Sequence, residues 1–215
     1  MDITGKEIIC CACRAKIHPI PHLFCGTCHA RAVSAKLACP CRDNFIMGTI
    51  GAYSDQNLHN LAKLLKFKGV LEIADYFGEI LAEVIGRHLP QNIQFVIIPV
   101  PLSPQRLRLR GYNQSEQIAR ALLLSLAPKN IKASMTPDAL KRIRDTKPQT
   151  ETKTRNERLK NIKGAFCVSL PNKIKDEHIL LVDDVVTTGA TVRAAIAALK
   201  SAKPKSITVL AALSS

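Results

Sequence analysis

The chain has 215 residues, a formal net charge of +14 at pH 7, 47% hydrophobic residues and 4% aromatic residues, with no tryptophan. This length provides for a hydrophobic core in one large or two small domains, and the low aromatic content argues against a broad base-stacking surface. The N-terminus lacks the apolar core of a signal peptide and no apolar run reaches the length of a membrane span, so we expect a cytoplasmic protein without membrane insertion.

The N-terminal part of the chain is rich in cysteine. Cys10 and Cys13 form one C-x-x-C pair, and Cys25 and Cys28 form a second pair. Two such pairs suit a tetrahedral structural metal ion, so we predict a zinc-binding module over residues 1–45 with these four ligands. An iron–sulfur cluster or a redox role is the alternative, whereas a disulfide framework is not expected in the cytoplasm.

Further cysteines and histidines complicate this ligand set. Cys39-Pro40-Cys41 is tighter than a C-x-x-C pair, and it either replaces one ligand pair or stays without metal. The role of Cys11 is open. Three nearby histidines could replace a cysteine as ligand, although each of them taken alone is expected to be a surface residue: His18, His22 and His29. A closed shell of four ligands would stabilise the fold rather than carry out chemistry, and so small a segment is expected to need its metal.

Strands and helices alternate after the cysteine-rich part. Strands are predicted over 46–53, 95–100, 166–168, 179–182 and 206–213, and helices over 57–67, 70–89, 114–126 and 192–201. This alternation predicts an α/β domain over residues 46–215, with a parallel sheet flanked by helices on both faces.

The positive charge is concentrated in the middle of the chain. Between Pro99 and Ala165 there are fifteen Lys and Arg residues but only five acidic residues, so ten of the fourteen excess positive charges lie there. Such a block favours a polyanionic partner, which can be pyrophosphate, nucleic acid or both. A solvated basic surface is the alternative.

Asp183 and Asp184 follow an apolar strand that shows no alternation and is therefore expected to be covered on both faces. A Thr/Gly/Ala loop over 187–191 then leads into a helix whose N-terminus offers hydroxyl and N–H groups to a phosphate. Acids beside an anion site suit a sugar phosphate, because its hydroxyls donate to carboxylates while its phosphate accepts from the loop. An ordinary capped turn needs one capping side chain, not two acids and three threonines.

Two of the predicted strands, which end at Val100 and Val182, are each followed by a polar loop. In parallel sheets, ligands bind beyond the carboxyl ends of the strands. We therefore expect both loops to open onto the same crevice.

The segment over 178–191 closely resembles the motif of type I phosphoribosyltransferases that binds 5-phosphoribosyl 1-pyrophosphate (PRPP). The resemblance implies that Asp183 and Asp184 bind the ribose hydroxyls and, directly or through water, the Mg²⁺ that accompanies PRPP. It also implies a 5′-phosphate site made of the residues that follow the acids: Val185, Thr187, Thr188, Gly189, Ala190 and Thr191.

A second resemblance is carried by the loop over 99–114, which reads P-V-P-L-x-P-x-R-x-R-x-R-G-x-N-Q. It is similar to the corresponding loop of the ComF family, also called GntX-like. Leu65-Lys66-Phe67-Lys68-Gly69 is similar to that family's K-F-K-G element, and the segments 145–150 and 155–161 match its distal basic part. The resemblance runs essentially end to end and departs at Cys39-Pro40-Cys41, where members often have C-x-x-C.

This family resemblance implies further ligand contacts and a role. The cations implied to face the pyrophosphate are Arg106 and Arg110, with Lys66 and Lys68 as helpers, and a mobile flap over 144–153 would add Lys147 and Gln149. The implied function is a PRPP-binding, phosphoribosyltransferase-like protein of DNA uptake in natural transformation, with single-stranded DNA and a protein of the competence machinery as partners. The alternative is an active Mg²⁺-dependent phosphoribosyltransferase with an unknown acceptor, unrelated to DNA.

Overall fold

The computed structural model describes residues 9–32, 39–41, 45–90, 92–144 and 164–215. The strands are β1 (Phe24–Cys25), β2 (Ile46–Ala52), β3 (Phe95–Pro99), β4 (Ala133–Met135), β5 (Leu140–Arg142), β6 (Phe166–Val168), β7 (His178–Val186) and β8 (Ser206–Ser214). The helices are α1 (Cys11–Arg14), α2 (Gln56–Lys68), α3 (Glu72–Gly86), α4 (Pro104–Arg110), α5 (Gln114–Leu126) and α6 (Ala190–Lys200). None of the helices in these described parts combines the length and apolar character needed to span a bilayer.

Six strands form the main sheet in the order β1-β2-β8-β7-β3-β4. All neighbours in it run parallel except β1 and β2, which are antiparallel. The sheet confirms the predicted α/β class. Because β1 comes from the cysteine-rich part of the chain, that part is joined to the edge of the sheet by strand pairing.

Helices cover both faces of the sheet, as predicted. In β7, Leu180 and Val182 pack with α2, α3 and α5, whereas Ile179 and Leu181 pack with α6 on the other face. All four side chains are at most 1% exposed. A strand buried in this way has no polar face, which explains its unbroken apolar sequence.

Capping residues fix where the helices begin. The Asp55 carboxylate accepts from the N–H groups of Asn57 and Leu58 at the start of α2, and the Asn113 side chain accepts from the Ser115 N–H at the start of α5. These bonds satisfy N–H groups that lack intrahelical partners. The predicted helix over 114–126 is confirmed, and the predicted helices over 57–67 and 70–89 correspond to α2 and α3 with shifted ends.

One glycine lets α3 and α5 approach closely. A Cβ atom at Gly78 would lie 2.4 Å from the Ala121 Cβ and 2.6 Å from the Leu122 backbone nitrogen. Any side chain at this position would force the two helices apart. The contact matters for the ligand crevice, because α5 also packs against β7.

The structure differs from the sequence-based expectations in two places. The strand predicted over 166–168 is confirmed, but β6 lies outside the parallel sheet and pairs antiparallel with β5 in a separate two-stranded sheet. The segment after β3 is not simply a loop, because it contains α4, which begins at Pro104 after the cap Ser103 and ends before Gly111 at φ 78°. Serine, proline and glycine in this order are start and stop signals of a short helix.

Candidate functional site

The two acids lie beside a gap in the sheet. The pairing of β3 with β7 ends at Pro99 and Val182, whereas β8 continues alongside β7 past Asp183. The strand therefore does not end before the acids, as the sequence suggested, but runs on to Val186. Because β3 and β7 pair in parallel, their carboxyl ends lie at the same edge of the sheet, and both acids lie just beyond the end of β3.

Asp183 is a buried carboxyl with a perturbed pKa. It is 7% exposed, and it accepts hydrogen bonds from the Ser115 hydroxyl at 3.0 Å and from the Asp184 N–H at 3.0 Å. Burial, and after it the charge of Asp184, raises the pKa of Asp183 to about 8. Because burial and the neighbouring acid disfavour the charged form of this carboxyl, a cation or a hydroxyl donor that binds beside it stabilises that form.

Two cations stand next to the second acid. The Lys66 Nζ is 3.7 Å from an Asp184 carboxylate oxygen. Arg110 is close enough to interact electrostatically with Asp184, while burial lowers its own pKa and Arg106 lowers it further. The structure thus brings Lys66 and Arg110 towards one acid and Arg106 towards Arg110, whereas Lys68 lies exposed at the end of α2.

Side chains that the sequence analysis missed hold these groups in place. The Tyr112 hydroxyl donates to the Leu65 carbonyl and so ties the end of α2 to the segment after β3. The Asn113 side chain donates to the Val100 carbonyl at 3.1 Å, and Ser115 orients Asp183 from the first turn of α5. A serine near a helix start looks like an ordinary capping residue, so no signal in the sequence linked Ser115 to an acid 68 positions away.

The predicted phosphate site forms a tight turn between β7 and α6. Gly189 adopts φ 70° and ψ 7° as the residue before α6, and the Ala190 N–H is 3.5 Å from the Thr188 hydroxyl. The first N–H groups of an α-helix have no intrahelical partners, so an anion can accept from them. The predicted contact residues divide between strand, turn and helix: Val185 in β7, Thr187, Thr188 and Gly189 in the turn, and Ala190 and Thr191 in α6.

The predicted flap lies largely outside the described residues. Arg144 is described as an exposed residue after β5, but residues 145–163 are not described. Lys147 and Gln149 therefore stay predictions from the sequence.

Four thiols come together in the cysteine-rich part. The sulfurs of Cys25, Cys28, Cys39 and Cys41 all lie within 4.8 Å of one another. Burial alone would raise the pKa of the Cys25 thiol, but hydrogen bonds from the Cys28 and Thr27 backbone, assisted by the Cys39 and Cys28 thiols, lower it to about 7. The Cys28 thiol, burial and Cys39 raise the pKa of Cys41 to about 12.

This donor set fits a zinc ion. Zinc prefers four thiolates at about 2.3 Å, which places tetrahedral sulfurs about 3.8 Å apart, within the spread of this cluster. Without a cation, the hydrogen bond with the Cys28 thiol and burial, and to a smaller extent the negative charges of Cys28 and Cys39, keep the pKa of Cys41 high. A divalent ion removes this repulsion and deprotonates the thiols that coordinate it.

The cluster differs from the ligand set that spacing predicts. Cys25 and Cys28 belong to both sets, but Cys10 and Cys13 are replaced in the cluster by Cys39 and Cys41. Cys10 and Cys13 lie in and before the single turn of α1, where the two thiols hydrogen-bond to each other. Spacing alone cannot show whether Cys10 and Cys13 or Cys39 and Cys41 fold back on the pair at 25–28.

Comparisons with known proteins agree with this architecture. The phosphoribosyl transferase domain model matches residues 110–214. The competence protein ComFC of Bacillus subtilis is 28% identical over 97% of this chain and 86% of the relative. The competence protein F of Haemophilus influenzae is 28% identical over 87% of this chain and 82% of the relative.

A third relative is more similar over a shorter region. The DNA utilization protein YhgH of Escherichia coli O157:H7 is 35% identical over 60% of this chain and 54% of the relative. Among solved structures, a hypoxanthine phosphoribosyl transferase of Trypanosoma cruzi aligns with a TM-score of 0.42 and 17% identity, over 67% of this chain and 66% of that one.

The matching domain model covers the strand with the two acids, and the relative named ComFC aligns along nearly all of the chain, including its cysteine-rich part. The chain is therefore similar to competence proteins of the ComF family, and it combines a cysteine-rich segment with a phosphoribosyltransferase fold.

Proposed function

We propose that the protein binds PRPP together with Mg²⁺ in the crevice beyond β3. The observation that carries this proposal is the buried acid Asp183 beside Asp184, with Lys66 and Arg110 next to the pair. The acids accept from the ribose hydroxyls, and N–H groups of the turn before α6 donate to the 5′-phosphate. The cations face the pyrophosphate, whose negative charge they complement.

The same arrangement suits transfer of the phosphoribosyl group. In such a transfer the bond between C1 and the pyrophosphate oxygen breaks, its electron pair leaves with pyrophosphate, and the acceptor bonds to C1. Asp183 and Asp184, directly or through water, would hold the Mg²⁺ that accompanies PRPP, and this ion would neutralise part of the pyrophosphate charge. Asp183, held by Ser115, orients the ribose, while Lys66 and Arg110 stabilise the charge that develops on the leaving group.

PRPP binding is tested by thermal denaturation and calorimetry. With PRPP and Mg²⁺ at about one hundred times the Kd, we expect a stabilisation of about 2.7 kcal/mol, which corresponds to a Tm increase of about 5–10 °C for a chain of this size. Ribose 5-phosphate should bind more weakly because it lacks the pyrophosphate, and glucose 6-phosphate is the control that should not bind. No stabilisation by PRPP at millimolar concentrations would contradict the proposal.

Whether the bound PRPP is turned over separates the two candidate activities. A pyrophosphate-release assay with PRPP, Mg²⁺ and candidate acceptors is the measurement. Release that depends on an added acceptor supports a phosphoribosyltransferase. Binding without release supports a protein that uses PRPP as a ligand.

For the biological role, we propose DNA uptake with single-stranded DNA as the partner. Support comes from the names of the relatives, two competence proteins and a DNA utilization protein, and from the excess of positive charge between residues 99 and 165. Contacts of Lys and Arg with phosphates give sequence-independent binding that weakens steeply with salt. A protein of the competence machinery as a further partner stays a prediction.

Phe67 is the base-stacking residue in this proposal. Its side chain is 68% exposed, and the Lys66 Nζ and the Arg110 Cζ each lie 5.9 Å from its ring centroid. A solvated aromatic ring between two cations matches a nucleotide, because the base stacks on the ring while its phosphate meets the charges. The ring also stands beside the PRPP crevice, since Lys66 contacts Asp184.

Replacement of Phe67 tests this contact. Phe67→Ala is expected to weaken single-stranded DNA binding by about 5- to 100-fold, the effect of losing one stacked base. Phe67→Tyr keeps the ring and should bind as the wild type does. The matched control is Leu124→Ala, which removes another exposed apolar side chain (73% exposed) from α5. Fluorescence anisotropy at two salt concentrations measures the affinities, and equal affinities of Phe67→Ala and wild type would contradict the assignment.

A further inference from the structure

Arg193 connects the phosphate turn to the cysteine cluster. It lies in the first turn of α6, where its Nη1 donates to the Thr188 carbonyl at 2.7 Å and its Nη2 donates to the Thr27 hydroxyl at 3.0 Å. Thr188 belongs to the turn before α6. Thr27 lies between Cys25 and Cys28, two of the four clustered cysteines.

Packing holds the guanidinium of Arg193 in this place. Its Cζ lies 5.4 Å from the centroid of the Phe45 ring. A Cβ at Gly26 would lie 2.2 Å from that ring, and a Cβ at Gly189 would lie 2.5 Å from the Arg193 Nη1. Glycine at position 26 therefore lets the cysteine turn pack against the Phe45 ring. Glycine at position 189 lets the phosphate turn pack against the Arg193 guanidinium.

The position of Arg193 is electrostatically unfavourable for the helix alone. The N-terminal end of a helix carries a partial positive charge, so a cation in the first turn is disfavoured. At this position the positive charge instead adds to the potential that an anion meets at the turn. The bond to the Thr188 carbonyl also satisfies an oxygen whose dipole would otherwise repel a phosphate.

Thr27 also contacts the cysteine cluster through its backbone. The Thr27 N–H donates to the Cys25 sulfur at 3.4 Å, and together with the Cys28 backbone it lowers the pKa of that thiol. The backbone and the side chain of Thr27 thus serve different partners. The backbone contacts a metal-ligand candidate, and the hydroxyl contacts Arg193.

We infer that Arg193 is a positioning residue for the 5′-phosphate site and that Thr27 links its orientation to the cysteine cluster. The inference rests on the proposed binding of PRPP at this turn. It gives the cysteine cluster a role beyond local stability. The folded cluster holds Thr27 in position, Thr27 orients the Arg193 guanidinium, and the guanidinium holds the turn before α6. Such coupling requires a contiguous set of packed and hydrogen-bonded groups, which these contacts provide.

The test replaces the Thr27 hydroxyl while keeping the shape of the side chain. Thr27→Val removes the hydroxyl that accepts from Arg193, whereas Thr27→Ser keeps it. Thr27→Val is expected to weaken binding of ribose 5-phosphate and of PRPP by about 3- to 30-fold, the range for a residue that acts through a coupled contact. Thr27→Ser is expected to restore wild-type affinity.

A second ligand separates positioning from general damage to the fold. Inorganic pyrophosphate carries no 5′-phosphate and should meet Lys66 and Arg110, so its affinity is expected to be the same in Thr27→Val and wild type. Arg193→Gln breaks the same connection from α6 and leaves the residues of the cysteine turn unchanged. In that background, Thr27→Val is expected to cause no further loss of ribose 5-phosphate affinity.

The outcomes are distinguishable by calorimetry. Wild-type protein that binds neither ribose 5-phosphate nor PRPP overturns the proposed function and this inference together. Wild-type protein that binds both ligands, with Thr27→Val and Arg193→Gln binding them equally tightly, overturns only the role of Arg193. An equal loss of pyrophosphate and ribose 5-phosphate affinity in Thr27→Val also overturns it, because the effect would then not be specific to the phosphate turn.

Discussion

Replacement of both acids, Asp183→Asn with Asp184→Asn, is expected to abolish the thermal stabilisation that PRPP and Mg²⁺ give to the wild type. Asparagine keeps the size of the side chain and an oxygen that accepts from Ser115, but it removes the charges that hold ribose hydroxyls and Mg²⁺. The variant should therefore fold and yet show a PRPP-induced Tm shift of about 0 °C, against about 5–10 °C for wild type.

The ligand-free protein provides an internal check on this reasoning. The pKa of Asp183 is about 8 in the folded protein, against an ordinary value of 3.8. The folded state therefore holds a proton that the unfolded chain releases, so the wild type loses stability as the pH rises from about 4 to about 8. Asp183→Asn removes this loss and is expected to be more stable than wild type at pH 8, on the order of 1–3 kcal/mol, with a smaller gain at pH 5.

The two measurements separate a ligand site from a structural carboxyl. A residue that destabilises the free protein and is needed for ligand binding is typical of a functional site. The charge-matched control is Glu79→Gln with Glu83→Gln, which removes two exposed acids from α3 and should leave the PRPP response unchanged. Unchanged PRPP binding by the Asp183→Asn/Asp184→Asn variant would refute the ribose assignment.

Much of this site could be predicted from the sequence because it depends on local patterns. A strand without alternation, two acids and a Thr/Gly turn occupy consecutive positions, so their spatial relation follows from the chain itself. The shared crevice also followed, because parallel strands place their carboxyl ends at one edge. The family resemblance implied a role for Lys66 beside the pyrophosphate, but the contact of Lys66 with Asp184 was not predicted.

The rest depended on contacts between distant residues. Ser115 meets Asp183 and Thr27 meets Arg193 only because the sheet order places α5 and the cysteine turn beside β7 and α6. No sequence pattern indicates that a threonine between two cysteines contacts an arginine in a distant helix. The short strands β4 and β5 were missed for a similar reason, since three residues give too little periodicity to recognise a strand.

The choice of metal ligands shows the same limit and leads to a decisive experiment. Spacing selects Cys10, Cys13, Cys25 and Cys28, whereas the cluster contains Cys25 and Cys28 with Cys39 and Cys41. Replacing Cys25 or Cys28 cannot separate the two sets, because both sets share them. The discriminating variants are Cys39→Ser and Cys10→Ser.

Cys39→Ser is expected to lose its zinc, whereas Cys10→Ser is expected to keep it. A structural zinc site needs all four ligands, so the metal content of Cys39→Ser should fall from about one zinc per chain towards zero. The loss should also lower the Tm, because β1 ends at Cys25 and pairs with β2 at the edge of the sheet. Elemental analysis of the purified variants and their thermal denaturation with and without added zinc measure both effects.

The solvent exposure of Cys10 and Cys39 allows the effect of metal loss to be separated from the effect of the substitution itself. Cys10 is exposed and Cys39 is half-buried, so a purely structural effect of serine is expected to be small at Cys10 and modest at Cys39. Metal coordination predicts a much larger difference, since the free energy of binding a structural zinc contributes directly to folding. If Cys10→Ser lost the metal and Cys39→Ser retained it, the ligand set would be the one that spacing predicts, and Cys39-Pro40-Cys41 would have no part in holding zinc.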